Sequence, residues 1–276
     1  MSAVETLRAF VNAWDCDEND HLNVQFYFGF FETAAEHFLA LSGVTRMARR
    51  QPLARHVRYH RELRTGQLVR MDSHIAPARE PGRWHLVHRL SEPATGKLAA
   101  TALDTYDGEP PAAPAGEISE EAAPRSLHVA PADIAELDSR RPPIAHRGRL
   151  NADAFDERGF VRHQALVARF SDAAGHFWEG MGATQPWLAE NNYGRVALEM
   201  KVTRGATGQA GLVEVGSGPL ATGNKTVSFF HVVRAGETGE VLATGEVTGL
   251  LFDRDQRRAL PLPEAIRAKV EAGINS

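Results

Sequence analysis

The chain carries one sequence unit twice. With Asp17-Glu18 set against Asp156-Glu157, Gln25 meets Gln164, Phe31 meets Phe170, Ala34-Ala35 meets Ala173-Ala174, His37-Phe38 meets His176-Phe177, and Gly43 meets Gly182. Further on, Thr65-Gly-Gln67 recurs as Thr207-Gly-Gln209, and Thr95-Gly-Lys-Leu-Ala-Ala-Thr101 recurs as Thr238-Gly-Glu-Val-Leu-Ala-Thr244. The order is kept and the register drifts by a few positions, where turns are expected. A duplicated unit of this size limits the fold to two copies of one architecture.

The pattern inside the first copy reads as strand, helix, then four strands. Leu7 to Trp14 is strand-like and delivers the polar loop Trp14-Asp-Cys-Asp-Glu-Asn-Asp-His-Leu-Asn23. Asn23 is an N-cap candidate, because its side-chain oxygen can take a free N–H of the first turn. Phe26, Tyr27, Phe30, Phe31, Ala34, Ala35 and Phe38 follow at helical spacing, and Phe28 and Leu39 lie off that stripe. A helix apolar nearly all round is buried on most sides. Gly43 reads as its stop signal. Strand patterns follow at 55–63, 68–75, 84–90 and 98–106, with turn signals at Thr65-Gly66, Pro81-Gly82 and Thr95-Gly96. The halves are expected at 1–107 and 144–276. Between them 108–143 reads as a linker, rich in Gly, Pro, Ala and Glu and ending at Arg140-Arg-Pro-Pro143.

Composition excludes several classes. A net charge of −4 over 276 residues argues against a general nucleic-acid binder. No apolar run approaches the roughly 20 residues of a membrane span, and the N-terminus has no basic stretch leading into an apolar one, so no secretory leader is expected. The single cysteine, Cys16, excludes an internal disulfide framework. Together these features point to the cytoplasm.

The loop and helix, with Phe31-Glu-Thr-Ala-Ala35, resemble the 4-hydroxybenzoyl-CoA thioesterase branch of the hotdog superfamily. They are also similar to acyl-carrier-protein thioesterases, whose loops carry Asp-x-Asn-Gly-His-x-Asn. The resemblance covers most of each half. It implies an α+β fold: a double hotdog, in which each repeat is a long central helix wrapped by a curved antiparallel β-sheet. It also implies thioester hydrolysis, of an acyl-CoA or of an acyl group on a carrier protein. Residue by residue, Asp17 takes the place of the catalytic carboxylate, and His21 and Asn23 take the His-x-Asn positions. Asp20 stands where the family usually has Gly. In the second half Asp156 and Gly159 keep the Asp and Gly, while Phe160 and Arg162 replace the His and Asn. One competent site per chain is therefore expected, with Asp156 its degenerate counterpart.

The residue chemistry agrees with that reading. A placed carboxylate can act as general base or attack the thioester directly. Backbone N–H groups at Val24 and Gln25 are candidates for the oxyanion contact at the helix N-terminus. His21 is read either as orienting Asp17 or the water, or as structural. Asn23 is read as a cap or as a hold on the carbonyl. Tyr27 is a candidate for lining the acyl pocket. Arg58, within the basic run from Arg46 to Arg64, would meet coenzyme A phosphates or lie on a solvated face. Cys16 lies between carboxylates, which disfavour its thiolate. His56, His60, His85 and His88 read as scattered strand histidines, so no metal and no cofactor is expected. Two other classes compete. A hotdog enoyl-CoA hydratase would carry Asp-x-Asn-Pro-x-His, and Asp17-Glu-Asn-Asp-His21 lacks the Pro and is one residue shorter. A non-catalytic acyl-CoA-binding module would add a DNA-binding segment, and no basic helix-turn-helix pattern lies outside the repeats. Both a monomer and a homodimer of such chains are compatible with the fold.

Overall fold

A computed structural model describes residues 3–17 and 20–275. The chain divides into two compact units, residues 1–131 and 132–276. The loop residues Glu18 and Asn19 lie outside the described residues.

The first unit contains β1 (Val4–Phe10), α1 (Val24–Leu41), β2 (Ala54–Tyr59), β3 (Leu68–Pro77), β4 (Arg83–Ser91) and β5 (Leu98–Asp107). Its antiparallel sheet has the order β1-β3-β4-β5-β2. Strand side chains alternate between faces. Ile75, Trp84, Leu86 and Tyr106 point toward the helix and pack with Ala35, Phe38 and Leu39. Helix α1 buries Tyr27, Phe28, Phe31, Ala34, Ala35, Phe38 and Leu39, whereas Phe26 and Phe30 are only partly covered. Its C-terminus runs through Ser42 to Gly43, whose φ of +79° is the left-handed stop that glycine allows.

Two strands end earlier than the sequence pattern suggests. β1 stops at Phe10, and Ala13–Asp15 forms a 3-10 turn rather than strand. Asn12 accepts the Asp15 N–H at 3.1 Å and its amide reaches Asp15 Oδ2 at 3.2 Å, so local bonds displace the ladder. β2 stops at Tyr59, because the N–H groups of His60 and Arg61 both converge on Ala99 O.

The second unit opens with α2 (Ile134–Ser139) and continues through β6 (Ile144–Leu150), α3 (His163–Gly180), α4 (Gln185–Asn191), β7 (Tyr193–Arg204), β8 (Gly211–Thr222), β9 (Thr226–Ala235), β10 (Val241–Asp253), β11 (Arg258–Ala259) and α5 (Glu264–Ile274). Its main sheet runs β6-β8-β9-β10-β7, the same order as in the first unit. In the register that aligns Asp17 with Asp156, α3 begins and ends at the positions matching Val24 and Leu41. The repeat is therefore a repeat of structure.

A polar chain crosses the helix-facing side of the first sheet, with one residue from each strand in sheet order. Thr6 Oγ1 lies 2.7 Å from Ser73 Oγ, and Ser73 Oγ lies 2.7 Å from His88 Nδ1. His88 Nε2 is 3.5 Å from Asp104 Oδ2. Arg55 donates to both Asp104 oxygens, each at 2.6 Å. The guanidinium also reaches the α1 carbonyls of Phe28 and Phe31, at 3.4 and 3.3 Å. Ser73, His88, Asp104 and Arg55 are fully buried. Burial pulls the Asp104 carboxyl up, but Arg55 and His88 outweigh it and hold it well below the usual carboxylate range.

The second unit keeps only the middle of this chain. Ser217 Oγ lies 2.7 Å from Nδ1 of the fully buried His231, whose ring stacks on Phe170 at 5.0 Å. Val247 and its ladder partner Met200 stand where Asp104 and its partner Arg55 stand in the first sheet. With no carboxylate beside it, His231 is pushed by burial down to about 3. Unfolding lets this imidazole take a proton below about 6.5. Its contribution is complete above that pH and falls as pH drops toward 3, by about 5 kcal/mol over the window. Denaturant titrations between pH 7 and pH 4 are expected to show about 3 kcal/mol of this loss, and His231→Met should flatten it. An unchanged slope in the variant would assign the acid sensitivity elsewhere.

Candidate active site

The loop between β1 and α1 is pinned along its length. Val11 N–H donates to Gln67 O and Gly66 N–H to Val11 O, both at 2.9 Å. Leu22 N–H donates to Leu63 O at 2.7 Å, and Asn23 N–H to Asp15 O at 2.9 Å. The Thr65-Gly-Gln67 turn is thus the back wall of the loop. Asp17 folds the loop on itself: its N–H donates to His21 O at 2.8 Å, and its Oδ1 accepts His21 N–H at 3.1 Å. Asp20, at the position that Gly159 holds in the second loop, has a φ of +58°. A hydrogen bond from Thr65 Oγ1 to Asp20 Oδ1, 2.7 Å, offsets the strain of that left-handed backbone.

The loop delivers its residues to the start of α1. Asn23 is the N-cap, with Oδ1 accepting Gln25 N–H at 3.1 Å. Of the two N–H groups at this mouth, that of Gln25 is therefore occupied, while Val24 N–H donates to no described group. Tyr27 lies one turn in. Its hydroxyl accepts Leu63 N–H at 3.3 Å, and its ring meets Tyr59 edge-on at 5.2 Å. Burial pushes both phenols well above their usual range.

His21 faces an acid that the sequence pattern did not single out. Its Nε2 lies 3.2 Å from Glu62 Oε2, with both side chains half-buried. At this distance the carboxylate attracts a protonated ring, although the pair does not have hydrogen-bond geometry. Cys16 is partly buried, with Sγ 3.3 Å from Thr65 Oγ1 and 3.5 Å from Asn12 O. Arg58 stands away from this cluster: its Nη1 donates to the carbonyls of Glu120 and Ala123, each at 2.7 Å. Among the described residues no group of three or more His, Cys, Asp or Glu is disposed to hold a metal ion.

The second loop keeps the scaffold and changes the side chains. Asp156 N–H donates to Phe160 O, Gly159 N–H to Asp156 O and Arg162 N–H to Ala154 O, each matching a bond of the first loop. Asp156 Oδ1 accepts the N–H groups of Arg158 and Phe160, both at 2.9 Å. Gly159 has a φ of +83°, and a Cβ there would come within 3.3 Å of Gly208 O. The side chains around it differ, however. Phe160 replaces His21, and Arg204, at the place before Thr207-Gly-Gln209 that Glu62 holds before Thr65-Gly-Gln67, sits over the Phe160 ring at 4.2 Å. Arg162 replaces Asn23 and caps nothing with its side chain. Imidazole and acid have been exchanged together for an aromatic ring and a cation.

Comparison with known proteins agrees with this division into halves. Solved structures of similar fold include an acyl-ACP thioesterase from Bacteroides thetaiotaomicron, with a TM-score of 0.60 at 8% identity, covering 89% of this chain and 96% of that one. Another is the 12:0-ACP thioesterase from Umbellularia californica, with a TM-score of 0.57 at 11% identity, covering 89% and 93%. These likenesses establish the double hotdog fold. No curated protein sequence matches the chain. A family model described as the thioesterase-like superfamily matches residues 11–106 and 151–270, one segment in each repeat. With both repeats matched, the chain belongs to the thioesterase-like superfamily.

Proposed function

We propose that the protein hydrolyses an acyl thioester to the free acid and a thiol, at one site in the first repeat. The observation that carries this is the contrast between the loops. Both aspartates accept the backbone N–H four residues on, but only the first loop also carries an imidazole–acid pair and an asparagine-capped helix mouth. In this reading Asp17 activates water or attacks the carbonyl carbon, and His21, beside Glu62, orients the attacking group. Negative charge growing on the thioester oxygen is met by Val24 N–H and the positive end of α1. Asp156 keeps its loop folded and does no chemistry.

Acyl-CoA is the leading substrate, in keeping with the loop's resemblance to the 4-hydroxybenzoyl-CoA thioesterases. An acyl carrier protein is the second reading, favoured by the match along nearly the whole chain to two acyl-ACP thioesterases. A cytoplasmic location belongs to this reading, in keeping with the free thiol of Cys16. Thiol release from short, long, branched and aromatic acyl-CoAs, and from the matching acyl carrier proteins, tests the proposal. Cleavage of one class is expected. If folded protein releases no thiol from either carrier, the hydrolase reading fails.

A further inference from the structure

The two loops are tied to the turns behind them in different ways. In the second repeat the tie to the β7–β8 turn is made of backbone. Gly208 N–H donates to Gly159 O at 2.7 Å, and a Cβ on Gly159 would meet Gly208 O at 3.3 Å and Thr207 Cβ at 3.4 Å. Phe155 rests on the same turn, its ring 3.4 Å from where a Gly208 Cβ would stand. In the first repeat Gly66 N–H turns to Val11 O instead, and the tie to the β2–β3 turn is made of side chains. Thr65, at the place of Thr207, donates from Oγ1 to Asp20 Oδ1 at 2.7 Å. Arg64 Nη1 lies 4.0 Å from the other oxygen, Asp20 Oδ2. A carboxylate only accepts, so the single hydroxyl proton of Thr65 goes to Asp20, and the lone pairs of the same oxygen face Cys16 Sγ at 3.3 Å. Cys16 and Asp20 stand where the second loop has Phe155 and Gly159. One hydroxyl thus touches the loop immediately before Asp17 and again three residues after it.

We propose, on the reading that Asp17 performs the chemistry, that Thr65 is a positioning residue for it, acting through Asp20. Asp20 is the corner of the turn that presents Asp17. Its N–H donates to Asp17 O at 3.1 Å, and its left-handed backbone aims the next N–H, that of His21, at Asp17 Oδ1. A residue with a side chain stays left-handed only where its surroundings hold it there. Here the holding group is the Thr65 hydroxyl, through a charge-assisted bond. Both partners are exposed, so the bond adds little to the stability of the fold. What it fixes is the direction of the Asp17 carboxylate, and a misplacement of about 1 Å at a reacting group costs about 10²-fold in rate. The second loop makes the same corner with Gly159 and needs no such latch.

Substitutions at the two ends of the bond separate a latch from a passive turn. Thr65→Val removes the hydroxyl and keeps the branched shape. Asp20→Gly keeps the left-handed backbone, relieves its strain and removes the acceptor. Each is expected to lower kcat on the best acyl thioester by about 10–10²-fold with KM little changed. The two together should lose no more than either alone, since they break one link. Thr65→Ser and Asp20→Asn, which keep a donor and an acceptor, should hold kcat close to the wild type. Thr207→Val, the same change in the second repeat, should not move it. Amide exchange at His21 reads the turn without turnover, and it should accelerate in Thr65→Val and in Asp20→Gly while the melting temperature stays put. If wild type releases no thiol from any acyl carrier, the hydrolase reading fails, and exchange at His21 still decides whether the latch exists. With an active wild type, an Asp20→Gly variant as fast or faster would overturn the proposal, glycine having made the turn by itself. So would unaltered His21 exchange in Thr65→Val. If Thr65→Val does not fold, Asp20→Gly against Asp20→Asn carries the same comparison.

Discussion

Asp17→Asn is expected to lower kcat on the best acyl thioester by about 10²–10⁴-fold, the usual range for a placed general base, while Asp156→Asn leaves it unchanged. Asparagine is the informative replacement because its amide oxygen can still accept the backbone N–H that each aspartate now holds. One bond is common to the two repeats, His21 N–H to Asp17 at 3.1 Å and Phe160 N–H to Asp156 at 2.9 Å, and Asp156 also takes the Arg158 N–H at 2.9 Å. A purely structural role for these aspartates therefore predicts an effect at Asp156 at least as large as at Asp17. A catalytic role predicts the reverse, since only the first aspartate has the imidazole, the acid behind it and the capped helix start. Steady-state thiol release from both variants, with circular dichroism to confirm folding, decides between them. Comparable losses at the two positions would make the second repeat a working site or both aspartates scaffolding.

How much of this was legible in the sequence depended on how local each signal is. Helix α1, its Asn23 cap and its Gly43 stop are written in consecutive residues, and the structure reproduces their bounds. The duplication was legible for a related reason, because Asp17 and Asp156 set one register that carries through both helices. Asp20 was visible as a departure from glycine, but its compensation comes from Thr65, far along the chain. Glu62 was missed for the same cause. It meets His21 only because the β2–β3 turn folds back on the loop, and nothing in Arg61-Glu62-Leu63 marks that acid as different from its neighbours. Its signal was available only by comparing repeats, where His21 and Glu62 change together to Phe160 and Arg204. The stretch between β5 and α2 could not be read at all. It docks on the first sheet largely through carbonyl oxygens, which every residue has, so its Ala, Pro and Glu composition looks like that of an unpacked linker.

The buried chain across the first sheet gives the largest expected effect on stability, and the second repeat states its control. Asp104→Val alone should cost about 3–5 kcal/mol, because it takes from the fully buried Arg55 guanidinium the carboxylate that accepts two of its bonds. Arg55→Met alone should cost a similar amount by leaving the Asp104 carboxyl buried without its main partner. The double variant should cost much less than either, since Met200 and Val247 already fill the matching ladder positions of the second sheet around an intact Ser217–His231 pair. Those two residues show that the same strand order closes on an apolar pair, so the ion pair is not required for the fold. It does add two bonds to the α1 carbonyls, at 3.4 and 3.3 Å, that a methionine cannot make. The double variant should therefore recover most of the stability and leave faster hydrogen exchange along the first turns of α1. Denaturant titration of the two single variants and the double closes the cycle. Additive losses would mean that Arg55 and Asp104 act independently, and that the second repeat is no guide to the first.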